Sequence, residues 1–320
     1  MSIRPADHGV LASQGGVIPD VVAYGGQVSQ YVDDSSGDTF RCHMFTGSGT
    51  FEVIANPLSR TVDVLMVAGG GNAKGDYNNR ASGGGGGGGV RLLTGVALTT
   101  GGKTVSVGTG GTRFSASYAG ARGGYTTITS MTGTNPGTSG GGAGDVGNGQ
   151  SGGSGGGGSG GTGGAGNVCS FSPSEGNDGG DGVANGSYYT GGGGGGFGAA
   201  GTDGSGAKGG PGGDGGWSIG WQRQHHAGTS GNGVKYAGGG GGCERSGTTH
   251  GEGGGGGGGR GGLAGSTSGF GQSGCPNTGG GAGGSTDTYI GSSGGLTTDT
   301  QFTGGGSGII IVRYQVQEAA

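Results

Sequence analysis

Unbroken glycine runs, Gly83–Gly89, Gly191–Gly196 and Gly253–Gly259, restrict the folds open to this chain more than any other feature. Glycine fills 104 of 320 positions, against an average usage of roughly 7 %. It is also the residue whose ordering costs most backbone entropy. Each interior glycine costs a helix about 1 kcal/mol relative to alanine, so runs of this kind exclude helices. Collagen is excluded too, because there is no strict Gly-x-y period and the chain has only 7 prolines. Apolar residues make up 28 % and charged residues 11 %. That is too little apolar surface for an ordinary core throughout, and too little charge for a solvated disordered chain.

One ordered state suits such runs. In the polyproline II conformation the backbone turns every three residues and makes no hydrogen bonds to itself, so its amides and carbonyls point outward. Rods without side chains can approach closely and bond laterally to several neighbours. Seven glycines would span roughly 22 Å, and Ser151–Ala165, read as one rod, roughly 45 Å. A net hydrogen bond contributes only about 1 kcal/mol, while ordering a residue costs roughly 1–2 kcal/mol. A single rod would therefore melt, and stability needs many cooperating rods plus an anchoring sheet. The competing reading is a flexible linker. Aromatic and aliphatic residues such as Phe171, Phe197, Phe270 and Ile290 punctuate the runs, and a spacer does not need them.

Composition divides the chain into three regions. Residues 1–39 read as an N-terminal attachment arm, with Ile18, Val21, Val22 and Tyr24 as anchoring residues. Residues 40–109, with 308–316, read as a β-rich base. Phe51 and Val53 alternate with polar neighbours, and Thr61–Ala68 passes from alternation into an apolar run. Val90–Leu93 and Val96–Leu98 follow, with a hairpin expected around Thr99–Lys103. The terminal run from Ile309 to Val316 is the most apolar in the chain and needs the early strands as partners. Residues 110–307 read as the glycine-rich bundle. Its insertions, 112–137, 167–190, 217–237, 243–250, 266–278 and 285–303, are expected to be the turns where rods reverse. The expected fold is thus a small antiparallel sheet or sandwich closed by the C-terminal strand, plus a packed polyglycine II bundle with connecting loops and essentially no α-helix.

Most chemical motifs fail on inspection. Ala97–Thr104 ends like a phosphate-binding loop, but its first position is alanine and no helix follows. Lys103 reads as a solvated turn residue. His225 and His226, with Cys243 and His250, lack the spacing of a metal site. No serine has an activating context. No enzyme activity, metal or cofactor is expected. A formal net charge of -4 without a basic block argues against nucleic acid. No apolar stretch is long enough to cross a bilayer as a helix. The first residues lack a signal-peptide core, which implies synthesis in a cytosol. The widely spaced Cys42, Cys169, Cys243 and Cys275 read as free thiols, with one late disulfide as the alternative. Trp217, Trp221, Arg223, His225, His226 and Tyr236 cluster in sequence, and Tyr188–Tyr189 forms a second group. Either these aromatics cover rod ends, or some are exposed as a receptor-contact patch of the Tyr, Trp and Arg type.

The order Phe45–Val53, Val62–Gly71, Gly83–Arg91, Val105–Gly108 and Gly308–Tyr314 resembles the glycine-rich domain of tail-fibre and appendage proteins of tailed bacteriophages. It is also similar to the tip adhesins of T4-like long tail fibres, whose polyglycine II sandwich carries receptor-binding loops. The resemblance implies an exposed virion appendage, made in the host cytoplasm. Other virion proteins would be held through the N-terminal arm, and a host outer-surface protein or polysaccharide through the loops. Fibre symmetry would suggest a homotrimer. The alternative is a non-adhesive structural virion protein, such as a capsid decoration or tail connector.

Overall fold

Alternating apolar residues at the two ends of the chain build two antiparallel sheets that share one core. The computed structural model describes residues 20–33, 36–73, 81–112, 120–129, 131, 136–185, 188–206, 208–217, 235–245, 249–263, 269–286 and 303–316. Among them there is no α-helix. The first sheet is formed by β1 (Val22–Tyr24), β4 (Gly49–Ala55), β7 (Gly101–Ser106), β8 (Thr126–Ile128) and β9 (Gly137–Thr138), in that spatial order. The second is formed by β2 (Gln27–Val32), β3 (Thr39–Phe45), β14 (Ile309–Val316), β5 (Thr61–Val67) and β6 (Val90–Ala97), again in spatial order. Two small two-stranded antiparallel sheets lie outside the sandwich: β10 (Val183–Asn185) with β11 (Tyr188–Thr190), and β12 (Gly216–Trp217) with β13 (Lys235–Tyr236).

The terminal strand behaves as its composition demands. β14 sits between β3 and β5, so both of its edges are paired, with Ile311 opposite Met44 on one side and Leu65 on the other. Its side chains alternate between two apolar environments. Ile310, Val312, Tyr314 and Val316 enter the core between the sheets with Phe45, Phe51, Val64, Met66, Val105 and Ile128. Ile309 and Ile311 point the other way, into a second cluster with Cys42, Leu65, Val67, Val90, Tyr236 and Ala237. A strand buried on both faces reads as a continuous apolar run rather than an alternating one.

The glycine runs form the expected lattice, and their hydrogen bonds show its threefold period. The amides of Gly83, Gly86 and Gly89 donate to Asp145, Gly142 and Ser139, those of Gly84 and Gly87 to Gly192 and Gly195, and those of Gly85 and Gly88 to Ala282 and Gly279. Every third residue thus meets the same neighbour, as a three-residue turn requires. The carbonyls of the same run accept from three further rods, at Ala68 and Gly71, at Ser154 and Gly157, and at Gly240. One rod is therefore bonded to six others, both parallel and antiparallel. The run 191–197 repeats this arrangement: its amides donate to rods at 237–243, 155–158 and 199–202, and its carbonyls accept from 84–87, 180 and 210–213. Buried backbone groups find their partners between rods instead of within a ladder.

Several sequence expectations need correction. The segment from Asp20 to Val32 is not a separate arm: β1 pairs with β4 and β2 with β3, and Val21 is buried in the main core. The base also draws on the glycine-rich region, because β8 and β9 extend the first sheet beyond β7. Thr99–Lys103 is not a hairpin. β6 belongs to the second sheet and β7 to the first, and Gly101 and Gly102 lie within β7 opposite Val53 and Glu52. That crossing turns Lys103 inward, so it is not a solvated turn residue. It is 2 % exposed, and its ammonium donates to the carbonyls of Thr100 and Gly101 at 3.1 and 3.2 Å. Nor is Ser151–Ala165 one rod. Gly149 and Gly152 donate to Thr162 and Ala165 of the same stretch, so it folds back on itself, with Gly160 at a φ of 69° in the bend. Rod length follows the thickness of the lattice, since a longer rod would leave its own amides unpaired.

Candidate functional site

Rod direction sorts the inserted segments into two sets. Ala68, Gly89, Ser139 and Gly308 adjoin the sandwich directly, so the rods starting or ending there have one end at the base and one end away from it. Between Gly191, which donates to Cys243, and Phe197, which donates to Ala237, lie six rises, roughly 19 Å. At the far end lie the turn Val146–Asn148, the bend at Ser159–Gly161, the β10–β11 hairpin, the turn Ser205–Lys208 and the residues Glu244, Arg245, Thr249 and His250. The described residues flanking 74–80, 113–119, 246–248, 264–268 and 287–302 lie at this end as well. One face therefore gathers segments that are scattered over most of the sequence.

Its geometry comes from backbone bridges between neighbouring rods. Thr190 bridges Glu244, Glu244 bridges Leu263, Lys208 bridges Thr249, and Ser159 bridges Gly191. The Arg245 amide donates to the Tyr189 carbonyl at 3.3 Å. The Tyr189 ring lies against the Gly160 bend, where a side-chain carbon on the glycine would touch it at 3.8 Å. Among the described residues of this face, the polar Ser205, Lys208, Thr249 and Glu252 are exposed, and His250 Nε2 lies 3.0 Å from Glu252 Oε1. Among the described residues, no group of three or more His, Cys, Asp or Glu is placed to hold a metal. What this face offers is a broad set of fixed hydrogen-bonding positions.

The aromatic residues singled out from sequence do not form one site. Tyr188 and Tyr189 belong to the far-end hairpin, while Trp217 and Tyr236, in β12 and β13, lie at the sandwich end. Tyr236 is 3 % exposed and packs with Val67, Val90 and Ile309, and burial pushes its hydroxyl up to about 12. It supplies apolar burial that glycine cannot, and it is not available as a receptor contact. Trp221, Arg223, His225 and His226 lie outside the described residues. Of the arm candidates, Ile18 is likewise outside them, Val21 is core, Val22 is half-buried and Tyr24 is 47 % exposed on β1.

Sequence reasoning missed the polar edge of the lattice. Asp178 and Asp181, three residues apart, accept from the amides of Gly166 and Gly163 at 2.7 and 2.8 Å, and Asp203 accepts from the Asp181 amide at 2.8 Å. The three-residue spacing of aspartates in a glycine-rich stretch was the available signal. All four cysteines are free thiols; Cys42 and Cys243 are buried, which pushes both up to about 12, while Cys169 and Cys275 are exposed. No helix among the described residues is long and apolar enough to cross a membrane.

Residues 46–315 match a family model described as a glycine-rich domain, and the chain belongs to that family. No curated protein and no solved structure matches the chain.

Proposed function

We propose that this glycine-rich domain protein is a tailed-bacteriophage tail-fibre or appendage protein that binds the host cell surface through the loops at the lattice end remote from the sandwich. One observation carries the reading: turns from distant parts of the sequence converge on a single face, each held at its root by a rod bonded to its neighbours. Turn sequences can vary there without disturbing the rods, since backbone groups make the lattice bonds. Binding loops on a rigid scaffold have this property. The phage setting rests on the resemblance of the base strands and glycine runs, and the host partner would be a surface protein or polysaccharide. The reading involves no catalysis.

Exchange of the hairpin residues 184–189 and the turn 205–208 for short glycine–serine turns tests it. Binding of the purified chain to host cells is expected to fall while the melting temperature stays within a few degrees of the parent. Undiminished cell binding in both exchanges would refute adhesion through this face. A role as capsid decoration or tail connector would then stand in its place.

A further inference from the structure

Each sheet of the sandwich ends in two edge strands, and three of these four edges are interrupted. β1 has three residues and a register shift between Val22 and Ala23. β9 has two residues, and the Arg91 guanidinium donates to its Gly137 carbonyl at 2.9 Å. β6 carries Arg91, pairs with β5 through a shift between Val62 and Val64, and contains Gly95 at a φ of 63°. Short strands, charges and bulges are the usual means of keeping an edge from pairing with another chain.

β2 has none of these devices. Its sequence, Gln27-Val28-Ser29-Gln30-Tyr31-Val32, contains no charge, proline or glycine, and all six residues pair in unbroken register with β3. Val28 and Val32 are 55 % and 48 % exposed. Among the described residues no further strand lies beyond it in the sheet.

We infer that β2 pairs antiparallel with the β2 of a second copy of this chain, about a two-fold axis at Gln30, joining the two second sheets into one. Three features favour a copy of the same chain over a different partner. The strand is neutral, so self-pairing places no like charges opposite each other, and it offers no charge for a charged partner to read. Residues directly opposite in an antiparallel pair share a face. With Gln30 opposite Gln30, Val28 therefore falls opposite the partner copy's Val32, and the two most exposed apolar residues of the strand cover each other. The Gln30 amide oxygen is already held by Arg41 Nη2 at 3.3 Å, which orients the side chain that would meet its own mate at the axis. A two-fold interface of this kind closes on itself and gives dimers instead of open filaments.

Sedimentation of the full chain tests the assignment, with circular dichroism and thermal melting as controls for folding. The parent is expected to be a dimer in reversible equilibrium with monomer. Val28→Lys with Val32→Lys should raise the dissociation constant about tenfold or more, because two lysine pairs replace two valine pairs. Val28→Lys with Val32→Glu should restore dimerisation, since the same register then sets each introduced lysine opposite the glutamate introduced in the other copy. Gln30→Cys, in a Cys169→Ser, Cys275→Ser background, should give a covalent dimer on mild oxidation. A parent chain that remains monomeric or forms a trimer would overturn the inference. So would a dimer indifferent to the lysines, or a folded Lys/Glu variant that stays monomeric.

Discussion

A methyl group on Gly88 would have to occupy the space of the Ala68 carbonyl, and one on Gly84 the space of the Gly240 carbonyl. Lattice glycines are thus required by the close approach of neighbouring backbones. Gly47, in contrast, has no atom near the position of an added carbon. Gly88→Ala is expected to destabilise the protein by about 3 kcal/mol, as overpacking in a closed interior does. Gly47→Ala should leave it unchanged or raise stability by about 0.5 kcal/mol through the unfolded chain. Chemical denaturation of both variants checks this, and equal losses would contradict the lattice. His43 is the other residue with a specific consequence. It is fully buried, its Nδ1–H donates to the Gly25 carbonyl at 2.8 Å, and Nε2 accepts from the Tyr314 hydroxyl at 3.0 Å. Burial holds its pKa below the ordinary 6.5. The unfolded state therefore binds the proton more readily. The stability due to neutral His43 is complete above about pH 6.5 and is lost as the pH falls from there through the folded pKa. Melting temperatures between pH 7.5 and 5 should fall more steeply in the parent than in His43→Gln, and parallel curves would remove His43 as the cause.

At the level of elements, a rod differs from a strand in how many neighbours it requires. A strand satisfies its backbone with two partners, whereas the rod 83–89 bonds to six. Rods at the lattice edge lack some of these, and side-chain oxygens stand in. Ser151 accepts from the Ala165 amide, Asn148 from Thr162, and Asp178 and Asp181 from Gly166 and Gly163. Asp181→Ala should cost about 1 kcal/mol, the net worth of such a bond. It should also speed amide exchange at Gly163 while Gly164, which donates to Gly156, keeps its protection. Uniform acceleration along the rod would show that the carboxylate acts on more than its own amide. The existence of rods was legible in the glycine runs. Their lengths were not, as the fold-back within Ser151–Ala165 shows, because a run of glycines does not say where its neighbours end.

For the molecule as a whole, the contacts that close the fold join residues far apart in sequence. β14 pairs with β3 and β5 across most of the chain, and its Arg313 reaches Asp63 at 2.9 Å and the Tyr31 hydroxyl at 2.8 Å. Such closure is slow to form, because loop entropy must be overcome before the contacts are made. Removal of residues 309–316 should leave the centre of the second sheet empty and yield aggregated protein with no cooperative melting transition. A soluble truncated chain that melts cooperatively would show that the lattice stands without its base. The candidate site was legible only in part. Tyr188 and Tyr189 lie in the hairpin at the far end, whereas Tyr236, which sequence leaves open between covering a rod end and meeting a receptor, is core. Sequence alone determined that the glycine runs could not be helices, that any order in them must come from lateral pairing and that the terminal apolar strand must join the early ones, since these follow from local sterics and the need to bury or bond each group. Which rods neighbour one another, which end each turn occupies and which way Lys103 and Tyr236 face were decided only by tertiary structure. Glycine carries no side chain to encode a partner, and an aromatic residue looks the same in sequence whether it covers a rod or meets a receptor.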